Sequence, residues 1–354
     1  MKLYITVDNI GIKSGGGTVT ANELIAMKSL NDDVISIDIN DINPINIGLP
    51  DTPFLQDYLT LQNISHVDLE KVDIAHFYSG CFTQTIRLLK SKGIMTTYTC
   101  AAHDRKISIN EFERLGYVYP YSHVKDDRLW PMYFGGVRET DVVIAPSKSS
   151  SNFLYREGCK RVEIIPHGCN IPEKVEPISN QFNVGYLGGL GPDKGVRYFI
   201  ESWSKLGYKD STLIFAGRYT EQLGSFINKF ANKGLFHIMG YVNDVRQLYD
   251  NISIYVQPSV TEGFGLEVLE AMSYGRPVII SEGCGAKDVV TESIDGFIVS
   301  KRDPKAIAEK IDWFKNHPQE LIEMGKAARE KAKQFNWNII KDKYANLWKS
   351  ILNE

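Results

Sequence analysis

Short apolar runs recur along the chain, and stretches of helical period separate them. In the first half the runs are Leu3–Val7, Val34–Ile39, Ile74–Phe77, Met95–Thr99, Val142–Ala145 and Glu163–Ile165. Runs this short, bounded by turn residues, predict strands buried on both faces, as in a parallel sheet covered by helices. Thr83–Lys92 and Ser147–Glu157 have helical spacing and stop at Gly93 and Gly158, where glycine takes a left-handed turn at little cost. Residues Ile171–Asn180 break the pattern: they are polar, carry Pro172 and Pro177, and read as a linker. The alternation then restarts. It predicts strands at Val184–Leu187, Leu213–Ala216, Phe236–Met239, Ile254–Gln257 and Pro277–Ile280, and helices at Val196–Leu206, Thr220–Ala231, Asp244–Asn251 and Leu266–Ser273. From Pro304 the chain reads as helical. Its last stretch, Trp337–Leu352, sets Ile340, Tyr344, Leu347, Trp348 and Ile351 on one face. The expected architecture is α/β: two doubly wound domains, residues 1–172 and 173–336, with ligands at the carboxyl ends of their strands and hence in a cleft between them.

Composition narrows the function. The chain has 354 residues, 43% of them hydrophobic and 23% charged, and a formal net charge of -3. A chain that held nucleic-acid phosphates as its main task would be basic, so nucleic acid is not an expected partner. No apolar stretch reaches membrane-spanning length and neither half is strongly basic, so membrane association is expected to be peripheral at most. Cys81, Cys100, Cys159, Cys169 and Cys284 are odd in number and form no C-x-x-C pair. That pattern suggests reduced thiols in a cytoplasmic protein rather than a disulfide framework or a zinc site. No acidic cluster has obvious metal spacing, and neither a metal nor a cofactor is expected.

The densest chemistry lies in Ser259–Ile279. A loop carrying Glu262, Gly263, Phe264 and Gly265 follows the strand ending near Gln257 and opens a helix near Leu266. A helix entered through glycines offers free N–H groups and positive partial charge to an anion. Glu262 and Glu270 add acceptors for hydroxyls. Read alone, the stretch fits either a site for a phosphate flanked by hydroxyls or an ordinary helix entry with solvated acids.

The stretch "EGFGLEVLEAM…GRPVI" resembles the donor-site motif of retaining glycosyltransferases of family 4, which have the GT-B fold. The resemblance continues through Ser14–Gly17, Thr99–Asp104, "DVVIAPS", "VEIIPHGCN", "YLGGLGPDKGV" and Phe335–Trp337. It implies two Rossmann-like domains facing across a cleft, and a final helix, residues 337–354, that packs back on the first domain. It implies a nucleotide-diphosphate sugar as donor and a hydroxyl-bearing acceptor, such as a carbohydrate, as partner. Within the motif, Glu270 would bind the ribose and Glu262 the transferred sugar. Backbone around Gly263, Phe264, Gly265 and Leu266 would hold sugar and phosphate. Lys194 would neutralise the departing diphosphate, Gly16 and Gly17 would bring amides to the same phosphates, and Val242 would lie by the base. His103 would sit near the reacting carbon.

Two positions depart from the family's pattern. Gly189 stands where the family carries an arginine, with Arg218 as a possible substitute, and Asp288 replaces a glutamate. His76 and His167 read as structural or hinge residues. The aromatic segment Lys106–Gly136 fits either an acceptor-binding cover or a decorated surface loop. Three other readings stay open: a nicotinamide enzyme on Gly15-x-Gly17-x-x-Thr20, another GT-B enzyme such as an epimerase, and a non-enzymatic sugar-binding descendant of a transferase.

Overall fold

The computed structural model describes residues 1–8, 10–11, 14–30, 33–42, 53–120, 122–189, 191–217, 224 and 235–354. The first half runs β1 (Lys2–Thr6), α1 (Gly15–Lys28), β2 (Val34–Ile37), α2 (Ile39–Ile42), α3 (Pro53–Ile64), β3 (Ile74–Tyr78), α4 (Thr83–Ser91) and β4 (Met95–Thr99). It continues α5 (Arg105–Arg114), α6 (Ser122–Lys125), α7 (Trp130–Glu139), β5 (Val142–Ala145), α8 (Lys148–Arg156) and β6 (Val162–Ile164). The second half opens with β7 (Val184–Leu187), α9 (Val196–Leu206), β8 (Thr212–Ala216), β9 (Leu235–Gly240), α10 (Arg246–Tyr249), β10 (Ile254–Gln257) and α11 (Leu266–Ser273). It ends β11 (Val278–Ser281), β12 (Gly296–Val299), α12 (Pro304–Asn316), α13 (Pro318–Lys333) and α14 (Trp337–Leu352).

The strands form two parallel sheets, ordered β2-β1-β3-β4-β5-β6 and β12-β11-β10-β7-β8-β9. Parallel neighbours need crossovers, and the intervening helices supply them. Alternate residues of the second sheet feed different cores. Leu213, Phe215, Ile254, Val256 and Ile279 pack with α9 and α12, whereas Ile214, Tyr255, Val278 and Ile280 pack with α11. Each fully buried side chain of this kind stabilises by roughly 1.5–3 kcal/mol, so both faces hold the sheet.

The chain divides into two compact units. One is Met1–Arg105, Tyr119–His167 and Trp337–Glu354; the other is Lys106–Val118 and Gly168–Asn336. Most of α5 therefore belongs to the second unit. There Ser108 donates to Asp193 at 3.1 Å, and buried Glu111 accepts from Tyr198 at 2.6 Å and from Arg302 at 2.7 Å. Helix α14 belongs to the first unit, with Ile340, Tyr344, Trp348 and Ile351 buried. Trp348 donates its indole N–H to Thr97 at 3.2 Å.

Several elements differ from the sequence expectation. The glycine run Gly15–Gly17 is the first turn of α1, capped by Ser14, rather than a loop. Segment Lys106–Gly136 carries most of α5, all of α6 and most of α7 instead of a long loop. Strand β12 was not anticipated, and Asp244–Asn251 shortens to α10. Apart from Gly224, the helix expected at Thr220–Ala231 lies outside the described residues, as does Arg218.

Candidate active site

In the second unit three turns converge at the carboxyl ends of β7 and β10. The first holds Lys194. Residues Pro192–Lys194 make a single 3-10 turn that stops at Gly195, whose φ is +69°. A Cβ on Gly195 would lie 2.0 Å from the carbonyl oxygen of Pro258, so only glycine fits. Val260 donates its N–H to Asp193 O at 2.8 Å, which ties this turn to the one after β10.

The second turn is Glu262–Gly265. It is pinned by backbone bonds to Gly283–Ala286: Glu262 N–H to Gly283 O at 3.0 Å, Gly285 N–H to Glu262 O at 3.1 Å, and Ala286 N–H to Phe264 O at 2.7 Å. Phe264 is buried in the core beneath, and the Cys284 thiol donates to its carbonyl at 3.0 Å. Gly265 then takes a left-handed conformation and starts α11 without a side-chain cap. The first N–H groups of the helix are thus left without a capping side chain, the arrangement that suits an anion.

Between these turns Lys194 pairs with Glu262. Burial works against the ammonium, but the carboxylates of Glu262 and Asp193 outweigh it and hold Lys194 charged well above its usual range. Glu267, in the first turn of α11, has its pKa pushed up to about 7 by burial and by the charge of Glu262, with Lys194 opposing. One turn on, burial also raises the pKa of Glu270, which accepts from the Tyr249 hydroxyl at 3.2 Å. The same hydroxyl lies 3.2 Å from the carbonyl of Glu267. Val242 packs at the edge of the core that holds Tyr249 and Val268.

The third turn follows β7. A Cβ on Gly188 would lie 3.7 Å from Glu267 Oε1, whereas one on Gly189 would meet nothing within 4 Å. Gly189 is exposed. Asp288 is exposed too, and the turn before it, Gly283–Ala286, meets the Glu262–Gly265 turn through its backbone.

Of the expected site residues, Lys194, Val242, Glu262, Gly263, Phe264, Gly265, Leu266 and Glu270 belong to this unit, while Gly16, Gly17 and His103 belong to the other. There Gly17 gives its N–H to Ser14 Oγ at 3.0 Å. The carboxylate of Asp8 fills the space beside Gly16, where a Cβ would meet it at 2.7 Å. His103 lines a cavity of about 440 Å³ at the ends of β3 and β4. His76 is fully buried, 2.8 Å from Thr97 Oγ1 and 3.3 Å from Glu23, a structural role. His167 is buried and its pKa is lowered to about 4, so it is neutral at pH 7.

Sequence reasoning missed Glu267, Tyr249 and the cavity residue Arg105. The spacing of Glu267 and Glu270, one turn apart on a helix, was the available signal for the first. Nothing in the sequence places Tyr249 or Arg105.

Residues 170–331, nearly all of the second unit, match the sequence model of glycosyl transferases group 1. That segment is similar to this family. A curated relative, N,N'-diacetylbacillosaminyl-diphospho-undecaprenol alpha-1,3-N-acetylgalactosaminyltransferase of Campylobacter jejuni, is 30% identical over 45% of this chain and 42% of its own length. The chain spans about half the length of the curated relatives it matches at this identity. Sucrose-phosphate synthase from Thermosynechococcus elongatus superposes with a TM-score of 0.76 at 16% identity, over 99% of both chains. HepE from Anabaena, in complex with UDP-glucose, gives 0.73 at 18% identity, over 99% of this chain and 100% of its own. Likenesses at these identities speak for the fold, which is GT-B, and agree with the two parallel sheets. Among the described residues no helix is long and apolar enough to cross a membrane.

Proposed function

We propose that this protein is a glycosyltransferase that moves a sugar from a nucleoside-diphosphate sugar to a hydroxyl acceptor, with retention and without a metal. The observation that carries the reading is the Lys194–Glu262 pair at the uncapped start of α11. In the transfer the bond from the anomeric carbon to the diphosphate oxygen breaks, and a bond to the acceptor oxygen forms on the same face. The acceptor's proton passes to the departing phosphate. Negative charge grows on that phosphate, where fixed N–H dipoles and the Lys194 ammonium stabilise it. Glu262, which holds Lys194 in the free protein, turns to the hydroxyls of the sugar, and Glu270 with Tyr249 takes the ribose. His103 belongs to the acceptor side. The relative from Campylobacter is named as an N-acetylgalactosaminyltransferase, and the HepE structure holds UDP-glucose, which favours the same class of donor.

A thermal-shift panel of uridine, guanosine, adenosine and thymidine diphosphate sugars, with NAD as control, tests the donor. Stabilisation by one nucleotide series, followed by turnover that falls about 100-fold in Lys194→Ala, supports the proposal. Stabilisation by NAD alone, or none by any nucleotide sugar, overturns it.

A further inference from the structure

The cavity in the first unit has a wall chemistry that the proposed reaction leaves unexplained. It opens at the carboxyl ends of β3 and β4, where α/β sheets place ligands. Trp130, Tyr133 and Phe134 of α7 and Tyr98 of β4 line it, together with His103 and Arg105. The α7 rings are stacked, Trp130 on Phe134 at 4.8 Å and on Tyr133 at 5.7 Å between centroids. Such faces suit the C–H surface of a sugar ring.

Arg105 is 6% exposed. Its guanidinium lies over the Trp130 ring, 4.6 Å from the centroid. Nη1 donates to Val124 O at 2.8 Å, and Nη2 pairs with Asp127, whose side chain is 73% exposed. A further donor, Nε–H, is buried and has no acceptor among the described residues. A buried N–H on a charged group is costly to leave unbonded, and native proteins leave few. No carboxylate side chain lines the cavity among the described residues. The acids nearby are engaged: Asp104 pairs with Arg156, and Glu157 accepts from Trp130 and Arg138. Cation, aromatic faces and absence of wall acids all favour one kind of ligand.

We infer that this cavity takes an acceptor saccharide carrying an oxyanion, a carboxylate or a phosphate, which Arg105 Nε–H binds while the ring lies on the α7 aromatics. The inference rests on the transferase reading and names the class of its acceptor. A charged hydrogen bond of this kind makes the anionic ligand bind about tenfold or more tightly than its neutral counterpart.

Calorimetry on the full chain tests this with methyl glucuronide, glucose 6-phosphate and neutral methyl glucoside. The expected result is at least tenfold tighter binding of one anionic probe, and which one identifies the oxyanion. Arg105→Gln should erase that preference and Arg105→Lys restore part of it. Tyr133→Ala should weaken all the probes that bind, which places them in this cavity. Equal affinity for the neutral and anionic probes in the wild-type protein overturns the inference even if the Arg105 variants fail to fold. So does binding of the probes that Tyr133→Ala leaves unweakened. Nucleotide-sugar stabilisation measured on the same preparation separates the two readings: if it persists without an anion preference, only the acceptor assignment fails.

Discussion

Glu267→Gln is the substitution whose effect can be worked from the structure most directly. Glu267 is partly buried beside Glu262, and its carboxyl is raised from 4.5 to about 7. At 1.36 kcal/mol per pH unit, holding it ionised in the folded state costs about 3 kcal/mol. A raised acid contributes its full stability below the unfolded value and loses it as pH climbs through the folded one. Stability of the second unit should therefore fall between about pH 4.5 and about pH 7 and level off above. At pH 5 the penalty is only ~1 kcal/mol, so about 2 kcal/mol is lost between pH 5 and pH 8.5. Gln keeps the shape and removes the charge. Melting curves at these two pH values should show the variant ahead of wild type by about 5 °C more at pH 8.5 than at pH 5. If both proteins lose the same stability across this range, Glu267 is not the strained carboxylate the geometry makes it, and the charge arrangement at α11 has to be redrawn.

Gly195→Ala should destabilise by more than ~2 kcal/mol, visible as a lowered melting temperature, since its Cβ meets the Pro258 carbonyl at 2.0 Å in a left-handed conformation. Gly189→Arg should leave the melting temperature within the range of a surface change, about 0.5 kcal/mol, because the new Cβ enters open space. The same variant should bind a nucleoside diphosphate severalfold more tightly by calorimetry, the added fork meeting phosphate oxygens. Glu270→Ala should weaken nucleotide binding about tenfold, and it leaves the Tyr249 hydroxyl without its carboxylate partner.

The sheets were legible because parallel strands buried on both faces leave uninterrupted apolar runs, as at Val142–Ala145 and at Val278, Ile279 and Ile280. Helix α14 was legible because one face alone is buried. The loop from Glu262 to Gly265 could be placed because glycines mark both its close approaches and its helix entry. Other elements depend on contacts the sequence does not display. Helix α7 contains Pro131, Gly135 and Gly136, poor helix formers, yet a Cβ on Gly136 would sit 3.0 Å from Thr83 Cα, so the glycine exists to let α4 approach. Helix α1 opens on three glycines and is held by Ser14 at its start. The Lys194–Glu262 pair joins residues 68 apart. A charged residue in the first turn of a helix reads as solvated, so the burial of Glu267 was invisible before its neighbours had positions.

Glu267 and Gly189 together change how an anion is received. The family pattern carries an arginine where this chain has Gly189, and the Glu267 carboxyl faces the turn of Gly188 and Gly189. With one cation absent and Glu267 close by, the site is less positive than a two-cation clamp. A diphosphate arriving near Glu267 would raise that carboxyl further above about 7, because a like charge disfavours ionisation. Donor binding at pH 7.5 should therefore take up a proton, and affinity should fall as pH rises from about 7 towards the bound-state value and level off above it. The phosphates of a nucleoside-diphosphate sugar have no ionisation in this range, so the proton belongs to the protein. Calorimetry in two buffers of different ionisation enthalpy counts it. Glu267→Gln should bind with no uptake and a flat pH profile, and Gly189→Arg should reduce the uptake by pairing with the carboxylate. Uptake that survives Glu267→Gln would assign the proton to another group and remove Glu267 from the donor end of the site.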